Sequence, residues 1–267
     1  MITAYGMYNW PEAINAIDQF WSPLINSLKG QGFDVDNTLA VDRDAYDVWL
    51  NPQMLLAQTC GFPYVTKLKG SVQLVATPHY AVEGCSGANY RSVILRRESD
   101  KRNQLCDFAG ATAAVNSFRS QSGCNALLGT LVREGFSAPF LHSLKKSGSH
   151  RDSMRMVASG SADICAIDAV CWQLMKDFEP ETAAQMAVIC WSDAQPGLPF
   201  ITSNTMSPEQ VTQLRVTLSS ALDEALSKQS AAGFYINGFS ILNETDYAGI
   251  TQMAESAKLA GYDDLLK

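Results

Sequence analysis

Residues 112–168 contain one pattern three times, and they read TAAVNSFRSQSGCNALLGTLVREGFSAPFLHSLKKSGSHRDSMRMVASGSADICAID. Each time, a short β-type strand is followed by small polar residues or an aspartate and then by a helix. The strands are predicted at 112–116, 140–144 and 163–167. Strands that alternate with helices at this spacing are typical of βαβ units. The sequence therefore predicts an α/β fold with mostly parallel sheets.

The rest of the chain continues this alternation on both sides. Further strands are predicted at 54–59, 72–76, 92–95, 186–191 and 198–202. Helices are predicted after Pro11, after Ser207 and over residues 245–260. With 267 residues the chain is longer than one ordinary core and shorter than three domains of typical size. Two lobes or one large α/β domain are the alternatives at this point.

Composition excludes several classes of protein. The net charge is -7, with 27 acidic residues against 20 basic ones. A duplex-binding protein needs a concentrated basic surface to neutralise phosphates. No segment approaches the roughly 18 consecutive apolar residues of a membrane span. The chain is therefore predicted to bind no nucleic acid and to insert no segment into a membrane.

Seven cysteines are spread along the chain, at positions 60, 85, 106, 124, 165, 171 and 190. They form no C-x-x-C pair, which argues against a structural zinc site, and no metal is predicted. We expect the cysteines to be small core residues. One bridge, for example Cys60–Cys85, stays open as an alternative if the protein is exported.

Two Ser/Gly turns follow neighbouring strands of the predicted sheet. Ser120, Ser122 and Gly123 follow the first strand, and Ser149 and His150 follow the second. A helix N-terminus offers unpaired backbone N–H groups and about half a positive charge. Turns of this kind can hold a tetrahedral anion at the edge of an open α/β sheet. The alternative, that Ser149 and Ser122 are only helix caps and that Gly123 only eases packing, stays open.

The same residues allow an enzymatic interpretation. Cys124 lies one residue into a helix, a position that lowers a thiol pKa, and with His150 and Asp168 it would form a Cys-His-Asp triad. No nucleophile elbow, P-loop, G-x-G-x-x-G or H-E-x-x-H motif is present. We therefore assign no catalytic residue and no cofactor, and a Cys/His hydrolase is the least favoured alternative. His150 is expected to be a neutral hydrogen-bonding group, because a helix start disfavours its positive charge.

Six motifs occur in an order that is typical of one protein family. They are, from the N-terminus, LAQTCGFP at 56–63, YRS at 90–92, SQSG at 120–123, SGSH at 147–150, ADICAID at 162–168 and PGLP at 196–199. With this set the chain resembles the phosphate, phosphite and phosphonate substrate-binding proteins of ABC transporters. These form the PhnD-like branch of the type II periplasmic binding fold.

The resemblance implies two α/β lobes, each a mixed, mostly parallel sheet flanked by helices. Lobe 1 would comprise residues 1–82 and 192–267, and lobe 2 would comprise residues 83–191. Two crossings would join the lobes, and the ligand would bind in the cleft between them.

The resemblance also implies which residues hold the ligand. In phosphonate-binding members an S-T-S-G turn and a histidine grip the phosphonate oxygens, and a tyrosine at the lobe crossing joins them. Those positions fall here on Ser120, Gln121, Ser122, His150 and Tyr90. Gln121 replaces the family's frequent threonine, so recognition of the oxygens is expected to be altered there. Four further candidates complete the predicted ligand site: Tyr8, Asn9, Thr59 and Asp168.

Two more departures concern the tail of the ligand. Members that bind aminoalkyl phosphonates have carboxylates where this chain has Val170 and Leu198. An ammonium group buried there without an opposite charge would be costly. The resemblance therefore implies a small oxyanion, similar to phosphate or a phosphonate, without a primary amine.

The function that these features indicate is that of the solute-binding component of an ABC transporter. Such a protein is not an enzyme, and we expect a monomer that passes its anion to a permease. A cytoplasmic ligand sensor or carrier on the same fold is the alternative. The resemblance implies a periplasmic location if a signal was removed before Met1, and a cytoplasmic one if Met1 is the native start.

Overall fold

The computed structural model of the chain describes residues 1–4, 7–35, 45–227 and 233–266. Contacts between Cα atoms divide the chain into two compact units. Unit 1 comprises Met1–Ala81, Ser86–Ala88 and Pro196–Asp246, and unit 2 comprises Val82–Cys85, Asn89–Gln195 and Tyr247–Lys267. Neither unit is a single continuous stretch of sequence.

Strands and helices alternate along much of the chain. The strands are β1 (Ile2–Ala4), β2 (Met54–Gln58), β3 (Val72–Tyr80), β4 (Cys85–Ser86), β5 (Asn89–Tyr90), β6 (Ser92–Arg97), β7 (Thr112–Val115), β8 (Ser143–Lys146), β9 (Ile164–Asp168), β10 (Met186–Trp191), β11 (Gln195–Pro196), β12 (Phe200–Ser203) and β13 (Ile236–Ser240). The helices are α1 (Ile14–Gly30), α2 (Ala45–Trp49), α3 (Gly61–Pro63), α4 (Ala126–Arg133), α5 (His150–Ala158), α6 (Ala169–Phe178), α7 (Pro180–Ala183), α8 (Pro208–Ser227) and α9 (Ala248–Leu259). Within the described ranges, no helix combines the length and the apolar character that crossing a membrane requires.

Unit 1 is built on a mixed five-stranded sheet of order β1-β2-β12-β3-β13. β1 is parallel to β2, whereas β12 lies antiparallel between β2 and β3. α1 packs against α8, because each has one apolar face. The fully buried side chains of these faces include Ile17, Leu24 and Leu28 in α1 and Leu214 and Leu218 in α8. Burying a side chain of this size contributes roughly 1.5–3 kcal/mol.

Unit 2 is built on a second five-stranded sheet, of order β10-β6-β9-β7-β8. β7 is parallel to both of its neighbours, β8 and β9, and β6 is antiparallel to β9 and β10. The parallel part of this sheet consists of β7, β8 and β9. Parallel neighbours need a crossover connection, and α4 and α5 provide the connections between these three strands. The α/β fold with mixed sheets is confirmed, but the parallel share is smaller than the sequence predicts.

One predicted strand begins later than expected. The sequence predicts a strand at 140–144, and β8 begins at Ser143. Phe140 is used in a turn instead, where its N–H donates to the carbonyl oxygen of Ser137 at 3.1 Å. Its own carbonyl oxygen accepts from the N–H of Gly110 at 2.7 Å, and its ring stacks on Phe136 with 4.3 Å between the centroids.

The C-terminal segment groups with unit 2, although the expected boundary assigns residues 192–267 to lobe 1. The reason is apolar burial. Ala257 and Tyr262 lie in the same hydrophobic cluster as Leu127 and Leu131 of α4. The hydroxyl of Tyr262 also donates to the backbone carbonyl oxygen of Phe136 at 3.2 Å.

Candidate functional site

The two predicted Ser/Gly turns meet at the carboxyl ends of two paired strands in unit 2. The wide turn Gln121–Asn125 follows β7 and leads into α4, and α5 begins at His150 after β8. Because β7 and β8 are parallel neighbours, both turns lie at the same edge of the sheet. Ser122 Oγ lies 2.8 Å from His150 Nε2, which is hydrogen-bond distance. The structure therefore brings these two candidate residues together.

The other two serines of these turns act as helix caps. Ser120 Oγ accepts a hydrogen bond from the N–H of Gly123 at 3.0 Å. Ser149 Oγ accepts from the N–H of Asp152 at 2.9 Å and donates to the Asp152 carboxylate at 2.7 Å. A cap of this kind is worth about 1 kcal/mol. The expected cap is thus present at Ser149, whereas the hydroxyl of Ser122 pairs with the imidazole. The cap at Ser120 was not predicted.

Asn116, which was not singled out from the sequence, lies against both turns. A Cβ atom at position 123 would lie 2.0 Å from Asn116 Oδ1, so only glycine fits against this amide without displacing it. The backbone carbonyl oxygen of Asn116 accepts from the N–H of Gly148 at 3.1 Å. The available signal was its position, directly after the strand that leads into the first turn.

His150 carries no charge near neutral pH. The residue is partly exposed as a whole, but its Nδ1 atom is shielded from solvent. Burial lowers the pKa of His150 to about 4. A lowered pKa favours the neutral imidazole, which is the form expected at this helix start. His150 can therefore orient Ser122 or bond an anion, but it does not supply a positive charge.

Gln121 is completely buried, and its side chain is used within unit 2. Its Oε1 accepts from Asn125 Nδ2 at 2.7 Å, and its Nε2 donates to Met253 Sδ at 3.5 Å. The sequence analysis names Gln121 as a ligand contact. Its amide contacts helix α9, and the expected ligand contact stays a prediction.

Asp168 is buried at the carboxyl end of β9 and caps α6. Its Oδ1 accepts from the N–H of Val170 at 2.8 Å. β9 is the other parallel neighbour of β7, so Asp168 lies at the same edge of the sheet as the two turns. Burial raises the pKa values of the Cys85 and Cys171 thiols, and the charge of Asp168 adds a smaller increase.

The remaining candidates are distributed over both units. Tyr90 is buried on β5 in unit 2. In unit 1, Tyr8 is buried with its ring edge-on to Tyr80 at 5.2 Å between centroids. Thr59 is buried and donates from its N–H to the carbonyl oxygen of Pro199 at 3.0 Å. Asn9 is partly exposed.

A second polar group in unit 1 was missed by the sequence analysis. Gln58 ends β2, and its Nε2 donates to Tyr80 Oη at 2.9 Å and to the Leu198 carbonyl oxygen at 3.1 Å. The Leu198 side chain itself is buried. For Gln58, the available signal in the sequence was its position just before Thr59, at the end of a predicted strand.

Cys124 is not an activated thiol. Its side chain is buried, and burial raises its pKa to about 12. The expectation that the helix start lowers this pKa is therefore wrong, because desolvation of the thiolate outweighs the helix dipole. All seven cysteines are free thiols, so Cys60 and Cys85 are not bridged. Among the residues that the structure describes, no group of three or more His, Cys, Asp or Glu side chains could hold a metal ion.

One family of known proteins matches most of the chain. The family described as ABC transporter, phosphonate, periplasmic substrate-binding protein matches residues 16–247. No curated protein sequence gives a significant match.

Solved structures share the fold at low sequence identity. PhnD1 from Prochlorococcus marinus in complex with methylphosphonate has a TM-score of 0.73 at 13% identity, over 96% of this chain and 98% of that one. A binding protein component of an ABC phosphonate transporter from Pseudomonas aeruginosa has a TM-score of 0.71 at 16% identity, over 97% and 87%. The alkanesulfonate-binding protein SsuA from Xanthomonas axonopodis bound to MOPS has a TM-score of 0.63 at 13% identity, over 100% and 94%.

These similarities confirm the type II periplasmic binding fold that the ordered motifs imply. The family binds solutes for transport and performs no catalysis, which excludes the hydrolase interpretation. Its members deliver small anionic ligands to a permease. The chain belongs to the phosphonate-binding family of periplasmic substrate-binding proteins of ABC transporters.

Proposed function

We propose that this protein binds a small phosphonate, or phosphate itself, without a primary amine, and passes it to its permease as a monomer. The observation that carries the proposal is the hydrogen bond between Ser122 Oγ and His150 Nε2 at 2.8 Å. It places a hydroxyl and an imidazole from two separate turns beside each other at the carboxyl edge of the unit 2 sheet.

The chemistry of this edge suits a tetrahedral oxyanion. The turn Gln121–Asn125 leads into α4 and His150 begins α5, so two helix starts lie at this edge. Helix N-termini favour negative charge through these groups and through the helix dipole. Because burial keeps the imidazole of His150 neutral, the anion is bound by hydrogen bonds and dipoles at these two turns.

The buried apolar residues support a ligand without an amine. Val170 and Leu198, which stand where amine-binding members have carboxylates, are both buried. The carboxylate of Asp168 accepts a hydrogen bond from the N–H of Val170 and caps α6. An ammonium group beside Val170 or Leu198 would lose its hydration without gaining an opposite charge, a loss of several kcal/mol.

We further propose that Tyr90, Asp168 and three residues of unit 1 contribute to ligand binding. The three are Tyr8, Asn9 and Thr59. Their support is the family membership and, for Thr59, a position at the carboxyl end of β2, since open α/β sheets bind ligands at this end. The two-lobe division with a ligand cleft belongs to the same proposal.

Titration calorimetry with four ligands tests the proposal. Methylphosphonate and phosphate should bind, and 2-aminoethylphosphonate should bind about a thousandfold more weakly than methylphosphonate. Methanesulfonate tests whether the oxyanion is a phosphonate or a sulfonate, and tighter binding of methanesulfonate would overturn the ligand class. Tightest binding of the amino compound would overturn the exclusion of amines. Asp168→Asn would then show whether Asp168 supplies the missing charge, since only that explanation predicts a selective loss of the amino ligand.

A further inference from the structure

The side chain between Ser120 and Ser122 contacts helix α9. Gln121 lies between Ser120 and Ser122, and its amide bonds to Asn125 and to Met253 of α9. Asn125 Nδ2 also donates to the backbone carbonyl oxygen of Ile250 in α9 at 3.3 Å. Two side chains of the turn are therefore connected to α9.

The orientation of both amides follows from their partners. The carbonyl oxygen of Ile250 can only accept, so the Asn125 atom that faces it is the NH2 group. The Gln121 atom that faces this NH2 group is then the oxygen, at 2.7 Å. The NH2 group of Gln121 consequently faces the Met253 thioether, a weak acceptor, at 3.5 Å. No other assignment pairs a donor with an acceptor at each contact.

The position of Met253 is fixed by a close approach of two helices. A Cβ atom at Gly129 of α4 would lie 2.4 Å from Met253 Cγ and 2.8 Å from its Sδ. The absence of a side chain at Gly129 thus gives Met253 its place against α4. Since α4 continues directly from the turn, α9 contacts both the turn and the helix behind it.

We infer that Gln121 is a positioning residue through which α9 fixes the geometry of the anion-binding turn. The inference rests on the proposed binding of an oxyanion at this turn. Gln121 does not donate to the ligand in this arrangement. It holds the backbone of Ser122 and Gly123 by linking the turn to Met253, which is 132 residues away in the sequence. The threonine that is frequent in the family is too short to make this link.

Substitutions at Met253 test the inference at a distance from the ligand. Met253→Leu keeps the apolar volume and removes the acceptor, so thermal stability should change little. The affinity for methylphosphonate should fall about fivefold to tenfold. Met253→Gln restores an acceptor atom on an unbranched side chain and should restore the affinity. Met175→Leu, at a fully buried position in α6, is the matched control and should leave the affinity unchanged.

A double-mutant cycle adds two variants, Gln121→Met alone and Gln121→Met combined with Met253→Leu. If both substitutions break the same link, the double variant should bind methylphosphonate no more weakly than the weaker single variant. Additive losses, or wild-type affinity in Met253→Leu, would overturn the inference.

Amide hydrogen exchange separates this inference from the proposed function. The N–H groups of Cys124 and Asn125 donate to the carbonyl oxygen of Ser120 at 3.3 and 3.0 Å. Their exchange without ligand should accelerate in Met253→Leu and return toward the wild-type rate in Met253→Gln. A wild-type protein that binds none of the anions tested would contradict the proposed function, and unchanged exchange would contradict the role of Gln121.

Discussion

The side-chain oxygen of Asn116 occupies the space that a Cβ atom at Gly123 would need, at 2.0 Å from its position. Gly123→Ala should therefore lower the free energy of unfolding by about 1–3 kcal/mol, as overpacking does elsewhere. Adding Asn116→Ala should recover part of this loss. Urea unfolding of the two variants measures both effects. Gly30→Ala, where the added Cβ meets nothing within 4 Å, is the control and should not destabilise the protein.

Ser122 and Ser149 should respond differently to the loss of their hydroxyl groups. Ser122→Ala removes the partner of His150 Nε2, and we expect a clear loss of affinity for methylphosphonate with little change in stability. Ser149→Ala removes the cap of α5, which should lower stability by about 1 kcal/mol. Calorimetric titration and thermal unfolding of both variants provide the comparison. Equal affinities in Ser122→Ala and the wild type would contradict a role for Ser122 in binding.

The buried imidazole of His150 should make the protein less stable in mild acid. Its pKa is about 4 in the folded protein and near the ordinary value of 6.5 when unfolded. Between these values the unfolded chain holds the proton and the folded protein does not, so the free energy of unfolding falls as the pH falls from 6.5 to 4. At pH 5 the loss should be roughly 2 kcal/mol.

Denaturant unfolding at pH 7.5 and pH 5 measures this effect. His150→Gln cannot take up the proton and should lose less stability between the two pH values than the wild type. The exposed His142 provides the control, because His142→Gln should keep the wild-type difference. The same loss in wild type and His150→Gln would show that other groups cause it.

The thiols should react in an order set by their exposure. Cys106 is exposed, whereas Cys124, Cys165 and Cys171 are buried, and burial raises their pKa values. Mass spectrometry after brief alkylation of the folded protein should show Cys106 modified first. Cys124, Cys165 and Cys171 should react only when the protein unfolds. Early modification of Cys124 would mean that its thiolate is accessible after all.

Local patterns were sufficient for much of the unit 2 site. The strand–turn–helix repeat predicted that the turns at Ser122 and His150 would meet, because parallel neighbours place their carboxyl ends together. Asp168 begins a helix as predicted, since a buried strand ends in a good N-cap residue.

The features that the sequence did not predict depend on distant partners. The Gln121 amide contacts Met253, and no local pattern reports a contact across 132 residues. β12 lies between β2 and β3, far from both in sequence, which makes the unit 1 sheet more antiparallel than expected. For Cys124, the local signal and the burial act in opposite directions on the pKa, and only the packed structure shows that burial dominates.

The membership of residues 247–266 in unit 2 has a consequence for biogenesis. A chain leaves the ribosome from its N-terminus, and domains begin to fold as they emerge. The hydrophobic cluster of unit 2 includes Ala257 and Tyr262, so this core stays open until those residues have been synthesised. Nascent and truncated chains would then expose the apolar side of α4 to chaperones and proteases. Competence to capture solute thus arises late in synthesis, and only in a chain that has been translated through Tyr262.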